Sequence, residues 1–178
     1  SFTEKILNKN ERIRKIFFIL FFYCIKMKIF LDKKLDRETW KHYVLQSMLA
    51  AVSLFVALNI PLVEAPILIA AIGSTSFIVF AMPYSRTAQP RNVLGGHIAC
   101  GLLGLLFSPL TSIVPMTAVI SIGVGLSILV MVALDIEHPP AGGTVIFLIL
   151  TPQVNSFIVL LILAGVMTLI SFLLRPYM

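Results

Sequence analysis

Runs of apolar residues dominate this chain, and short polar stretches separate them. Five of the runs are 15 to 23 residues long: about His42 to Ile60, Ala65 or Pro66 to Met82, Val93 to Phe107, Ser112 to Leu134, and Ser156 to Leu174. About 20 residues of α-helix cross a hydrocarbon core of ~30 Å, and fewer suffice where protein covers the helix ends. Lipid offers no partner to a bare amide, so segments of this kind are helical. A sixth apolar stretch, Thr144 to Leu150 (TVIFLIL), has only seven residues. It reads as a half-helix, or as backbone dipping into the protein, where surrounding protein or a water-filled cavity could satisfy its amides. The expected fold class is all-α: a polytopic transmembrane helix bundle of five spanning helices plus one short half-helix.

Two further patterns bear on how such helices assemble. Gly73-Ser74-Thr75 is followed eight residues after Thr75 by Pro83, and Gly142-Gly143-Thr144 eight residues after Thr144 by Pro152. Each stretch lies between two long helices. Three elements per half would make the halves an inverted repeat, as in many transporters. Gly96, Cys100 and Gly104 recur at four-residue spacing, as do Ser121 and Gly125, accompanied by Gly123 and Ser127. Small residues at that spacing let helices approach closely in lipid. The partner helix could belong to the same chain or, in a homo-oligomer, to a second copy.

Composition agrees with a bilayer as the main solvent. The chain of 178 residues is 58% hydrophobic and 12% charged, against about 25% charged in soluble domains. Its net charge of +6 resides wholly in residues 1–41, with eleven of the fourteen Lys and Arg. Arg86, Arg91 and Arg175 balance Glu64, Asp135 and Glu137 in the remainder. A basic flank beside apolar helices follows from topology, because Lys and Arg are retained on the cytoplasmic side. No nucleic-acid partner is expected. The chain divides into a basic N-terminal arm, residues 1–36, interfacial or partly disordered, and a transmembrane domain, residues 37–178.

Within the arm, residues 16–25 are apolar but too short to span. They fit the core of a signal peptide lacking a small-residue cleavage site, an interfacial helix, or translation upstream of a second start at Met27. With the arm in the cytoplasm, helix one ends outside near Glu64. The loop holding Arg86 and Arg91 and the segment Asp135-Ile136-Glu137-His138-Pro139-Pro140 then both face the cytoplasm. Arg175 joins them if residues 141–151 count as a crossing.

Polar residues at membrane depth are costly and mark function. Pro90 suits the start of a helix, which places Arg91 and Asn92 in the first turn and His97 about two turns in. A helix N-terminus with arginines suits an anion, although Arg86 and Arg91 also serve as topological anchors and His97 could simply bond a neighbouring helix. Pro139 and Pro140 end one helix and could begin the next. Free N–H groups of Gly142, Gly143 and Thr144 would lie beside His138. Asp135 and Glu137 could pair with Arg86 or Arg91. The spacing of Asp135, Glu137 and His138 matches no strong metal pattern. Cys24 and Cys100 suggest neither disulfide nor metal, and no cofactor is expected. No P-loop, dinucleotide fingerprint or nucleophile elbow occurs, so an enzyme is not expected.

The stretch GSTSFIVFAMPYSRTAQPRNVLGGH (73–97) together with EHPPAGGT (137–144) resembles the HPP family of integral membrane proteins, named for the His-Pro-Pro that falls here at 138–140. The resemblance covers about residues 37 to 176. It implies several transmembrane helices and, from plant and cyanobacterial-type members linked to nitrite transport, a transporter-like protein. Tyr84 stands where a histidine is frequent in the family, which puts any role of that histidine in doubt here. The expected function is passage of a small anion such as nitrite, with Arg91, Asn92, His97, His138, Gly142, Gly143 and Thr144 as substrate-binding residues. The alternative is a non-transporting membrane anchor or interaction subunit. The expected setting is the bacterial inner (plasma) membrane, with the N-terminus cytoplasmic.

Overall fold

The computed structural model describes residues 40–60 and 65–178. The readings on residues 16–25, Cys24 and Glu64 lie outside these residues. Six α-helices follow in order: α1 Trp40–Leu58, α2 Pro66–Ala81, α3 Pro90–Phe107, α4 Met116–Ala133, α5 Ala141–Leu150 and α6 Val154–Leu174. Short 3-10 turns cover Arg86–Ala88, Ser108–Ser112 and Arg175–Tyr177. No strand occurs among the described residues. The helices α1, α3, α4 and α6 are long and apolar enough to cross a membrane, while α2 and α5 have 16 and 10 residues. Thus α2, expected to span, is the short one of the five, at ~24 Å for a rise of 1.5 Å per residue.

Proline punctuates the boundaries. Pro66 and Pro90 occupy the first turns of α2 and α3, where a missing N–H costs nothing and the fixed φ suits a helix. So α3 starts at Pro90, with Arg91 and Asn92 in its first turn as expected, three residues before the apolar run itself begins at Val93. The residues 108–112, at the end of α3, form the 3-10 turn, so α4 begins at Met116 rather than Ser112.

The central element is α5. Ala141, Thr144, Val145, Phe147, Leu148 and Ile149 are all buried, as expected for a helix apolar all round. Phe147 and Leu148 join one core cluster with Leu68, Ile72, Val93, Phe157 and Leu160 from α2, α3 and α6. Val145 and Ile149 join a second cluster with Cys100, Val119 and Met131 from α3 and α4.

Glycines set how closely the neighbours approach. A Cβ on Gly96 would lie 2.9 Å from His138 Cβ, and one on Gly104 would lie 2.7 Å from Leu148 Cβ. The Gly96–Cys100–Gly104 face therefore packs within the chain, against the segment 138–148. On α4 the small residues divide. Gly123 faces Ile149, whereas Ser121 and Gly125 are exposed and a Cβ on Gly125 would meet nothing within 4 Å.

Depth along α3 shows how the chain crosses at α5. Gly96 faces His138 and Ala141, Gly104 faces Val145 and Leu148, and Ser108 donates to the Ile149 carbonyl at 3.2 Å. So α5 runs parallel to α3, starts about two turns below its first residue, and ends level with its C-terminus. The non-helical leg Asp135–Pro140 covers the upper part. Leg and half-helix together run the depth of α3, from its first turns to its end. Arg175 then returns to the starting end, where its guanidinium donates to Gln89 Oε1 at 3.2 Å. The two halves, α1–α3 and α4–α6, each read long helix, shorter helix, long helix, and they start from opposite ends.

Candidate functional site

Two polar layers form where the sequence suggested one. The outer layer lies at the end of the bundle. Arg86 pairs with Asp135 and lies 3.8 Å from Glu137, and Arg91 reaches Asp135 at 3.3 Å. Arg91 also donates to the Leu134 carbonyl at 2.9 Å, satisfying a C-terminal carbonyl of α4. Asp135 itself caps α4 in the left-handed region, at φ 60°, and Ile136 N–H returns to the Met131 carbonyl at 2.9 Å. Both arginines and Asp135 are exposed, so this layer is the expected ion-paired face.

The inner layer is a closed chain of side chains. His97, His138 and Thr144 show no exposed surface, and Thr75 is buried with them. The imidazoles stand edge to face with centroids 5.0 Å apart. Thr144 Oγ1 lies 2.8 Å from His97 Nδ1, and His97 Nε2 lies 3.1 Å from Thr75 Oγ1. Thr75 Oγ1 lies 3.1 Å from His138 Nε2, and His138 Nδ1 lies 2.8 Å from the Thr87 carbonyl.

Each element contributes one link: α2 brings Thr75, α3 His97, the leg His138, α5 Thr144, and the turn after α2 the Thr87 carbonyl. Asn92, in the first turn of α3 and buried, ties the leg down by donating to the Glu137 carbonyl at 3.3 Å. Gly96 leaves room for His138 to stack against α3.

These distances determine the protons. A carbonyl only accepts, so His138 carries its proton on Nδ1 and its Nε2 accepts from the Thr75 hydroxyl. That hydroxyl has one proton, already given, so it accepts from His97 Nε2–H. His97 Nδ1 is then the acceptor for the Thr144 hydroxyl. Every ring nitrogen is satisfied, as burial requires.

Two expectations need correction. The N–H groups of Gly142 and Gly143 are not free: they donate to the Pro139 and Pro140 carbonyls at 3.1 and 3.0 Å. The prolines lack N–H groups yet keep their carbonyls, and the tight turn uses them to start α5. Nor does Arg91 join the histidines, because Asp135 and Leu134 hold it in the outer layer. Thr144 does enter the site, through its side chain.

Thr75 was not among the expected site residues, although the Gly-Ser-Thr and Gly-Gly-Thr echo carried the signal: its two threonines bond opposite nitrogens of His97. Tyr84 is exposed and donates to the Arg175 carbonyl at 2.7 Å, so it lies in the outer layer. Among the described residues, no group of three or more His, Cys, Asp or Glu is arranged to hold a metal.

Apolar helices around a broken crossing, with an ion-paired end and a buried imidazole–hydroxyl chain, define a polytopic helical membrane protein with a polar centre. The chain belongs to the HPP family: the family's transmembrane region matches residues 34–174. It is also similar to a transmembrane protein of Dictyostelium discoideum, with 30% identity over 88 residues, covering 47% of this chain and 30% of that protein. The chain thus spans less than a third of that relative's length. No solved structure matches it.

Proposed function

We propose that this protein is a non-catalytic transporter that moves a small anion, with nitrite the leading candidate, past the two histidines. The observation that carries this reading is the inner layer itself. Two imidazoles and two hydroxyls are buried at a broken helix, where polar groups at membrane depth are expensive unless used. Discontinuous helices at repeat interfaces commonly form substrate sites in transporters. The resemblance noted above supplies the choice of nitrite. Arg86 and Arg91, beside the N-terminus of α3, would draw anions to the end of the bundle.

An alternative is a non-transporting interaction subunit. The outward Ser121 and Gly125 on α4 favour it, because this small-residue face is available to a partner helix or a second copy.

Uptake into proteoliposomes separates the two, with nitrite, nitrate, chloride and formate compared under a pH gradient. The expected result is saturable uptake of nitrite, abolished in His138→Ala and slowed several-fold in Arg91→Gln. Folded protein that moves none of the four above empty liposomes would leave the interaction-subunit reading standing.

A further inference from the structure

The inner layer is more than a set of polar contacts: it is a one-way chain of hydrogen bonds. Thr144 O–H points to His97 Nδ1, His97 Nε2–H to Thr75, Thr75 O–H to His138 Nε2, and His138 Nδ1–H to the Thr87 carbonyl. The direction is forced from the carbonyl end. Such a chain can pass one proton without moving any heavy atom far, and rotation of the rings then resets it.

We propose that this chain is a proton relay which makes anion movement an electroneutral symport of one proton with one anion. The inference rests on the anion-transport reading above. A hydronium ion that reaches Thr144 Oγ1 as the protein opens gives it a proton and leaves as water, and Thr144 gives its own hydroxyl proton to His97 Nδ1. His97 loses its Nε2 proton to Thr75, and Thr75 passes its own to His138 Nε2. Thr144, His97 and Thr75 each form one bond to hydrogen and break one, so they stay neutral. His138 gains a proton and becomes the imidazolium, holding Thr87 with Nδ1–H and Thr75 with Nε2–H. Loss of the Nδ1 proton on the side of the half-buried Thr87 turn, beside the paired Arg86, leaves His138 neutral, and both rings then turn over to restore the starting tautomers before the next proton.

The anion is required by charge. An imidazolium with no exposed surface is costly unless an opposite charge accompanies it. No carboxylate bonds either ring among the described residues. The groups that face the rings are Thr75 of α2, Thr144 of α5, the Thr87 carbonyl and each other. Glu137, next to His138 in the chain, turns instead towards Arg86. The charge partner for protonated His138 therefore comes from outside the protein, and an anion and its proton enter together.

Two measurements test this on the full-length protein in lipid vesicles. The first drives nitrite uptake separately by a pH gradient, inside alkaline, and by a potassium–valinomycin potential. Nitrous acid leakage through protein-free vesicles is subtracted. A symport predicts uptake at least tenfold above that background with the pH gradient, accompanied by one proton per nitrite. It also predicts no response to the potential. Thr75→Ser keeps this behaviour and Thr75→Val, which lacks the hydroxyl link, loses it. Uptake that follows the potential and ignores the pH gradient would overturn the relay while leaving anion transport intact. Absence of uptake of any anion by folded protein would overturn anion transport and the symport together. The second measurement is nitrogen-15 NMR of histidine-labelled protein. It should find one ring protonated on Nδ1 and another on Nε2, assigned by His97→Gln and His138→Gln. The same tautomer on both buried rings would remove the one-way chain.

Discussion

Thr75 is the residue on which both rings depend, because its single oxygen serves His97 and His138 at once. Val has nearly the same volume but no hydroxyl. Thr75→Val therefore leaves His97 Nε2–H without an acceptor and His138 Nε2 without a donor, at about 1–3 kcal/mol for each unpaired group. The expected outcome is a lower unfolding temperature in detergent, with Thr75→Ser largely restoring it. Arg91 and Asp135 behave differently. Their pair is exposed, and pairs of that kind contribute about 0–1 kcal/mol. Asp135→Asn keeps a residue that tolerates the left-handed region, so its unfolding temperature should stay within a degree or two of wild type. A large loss there would show that the outer layer holds the fold more firmly than its exposure allows.

At the scale of elements, the leg and α5 form one unit. Its position is set by glycine on α3, not by any side-chain bond alone. Gly96→Ala would place a methyl 2.9 Å from His138 Cβ and 3.2 Å from the Ile136 carbonyl. Both belong to the leg, which has little freedom to retreat. Overpacking of this kind costs about 1–3 kcal/mol, and displacement of His138 should reduce uptake as well. Gly142→Ala makes the opposite prediction. The space beside Gly142 is open, and Ala restricts the unfolded chain, so stability should rise by about 0.4–1 kcal/mol. Thermal unfolding of the two variants side by side checks both signs. The expected half-helix at Thr144–Leu150 was legible as apolar residues after a Pro-Pro pair. Its start beside that pair was legible too, but the 3-10 bonds from Gly142 and Gly143 back to the proline carbonyls were not.

The whole molecule has a polar end and an apolar end. Every charged side chain among the described residues lies towards one end: Lys41, Arg86, Arg91, Asp135, Glu137 and Arg175. His42 at the start of α1 reaches the Tyr177 carbonyl at 2.6 Å, so both ends of the described chain meet there. With α5 and its leg counted as one crossing the number of crossings is even, and the positive-inside rule predicts that this end is cytoplasmic. Single cysteines introduced at Tyr84 and at Gln153 test the arrangement in intact cells, in a Cys24→Ser, Cys100→Ser background. A membrane-impermeant maleimide should label Gln153→Cys from outside and Tyr84→Cys only after the membrane is opened. Labelling of both from the same side would mean that α5 with its leg does not complete a crossing.

The pattern of apolar and polar positions by itself determined the bilayer as solvent, the helical class and the two motif regions. Those properties depend on each segment's own composition and length, which a linear reading contains. The threonine echo also pointed to related halves. Only the tertiary structure decided that Arg91 stays outside with Asp135 and that the glycine N–H groups are already used. It also decided that Thr75, 22 residues from His97 and 63 from His138, is the link between them. The physical reason is that a buried hydrogen-bond chain is set by which helices touch and at what depth. Close approach at Gly96 and Gly104, together with the length of the leg, fixes that depth, and neither is visible until the helices are packed.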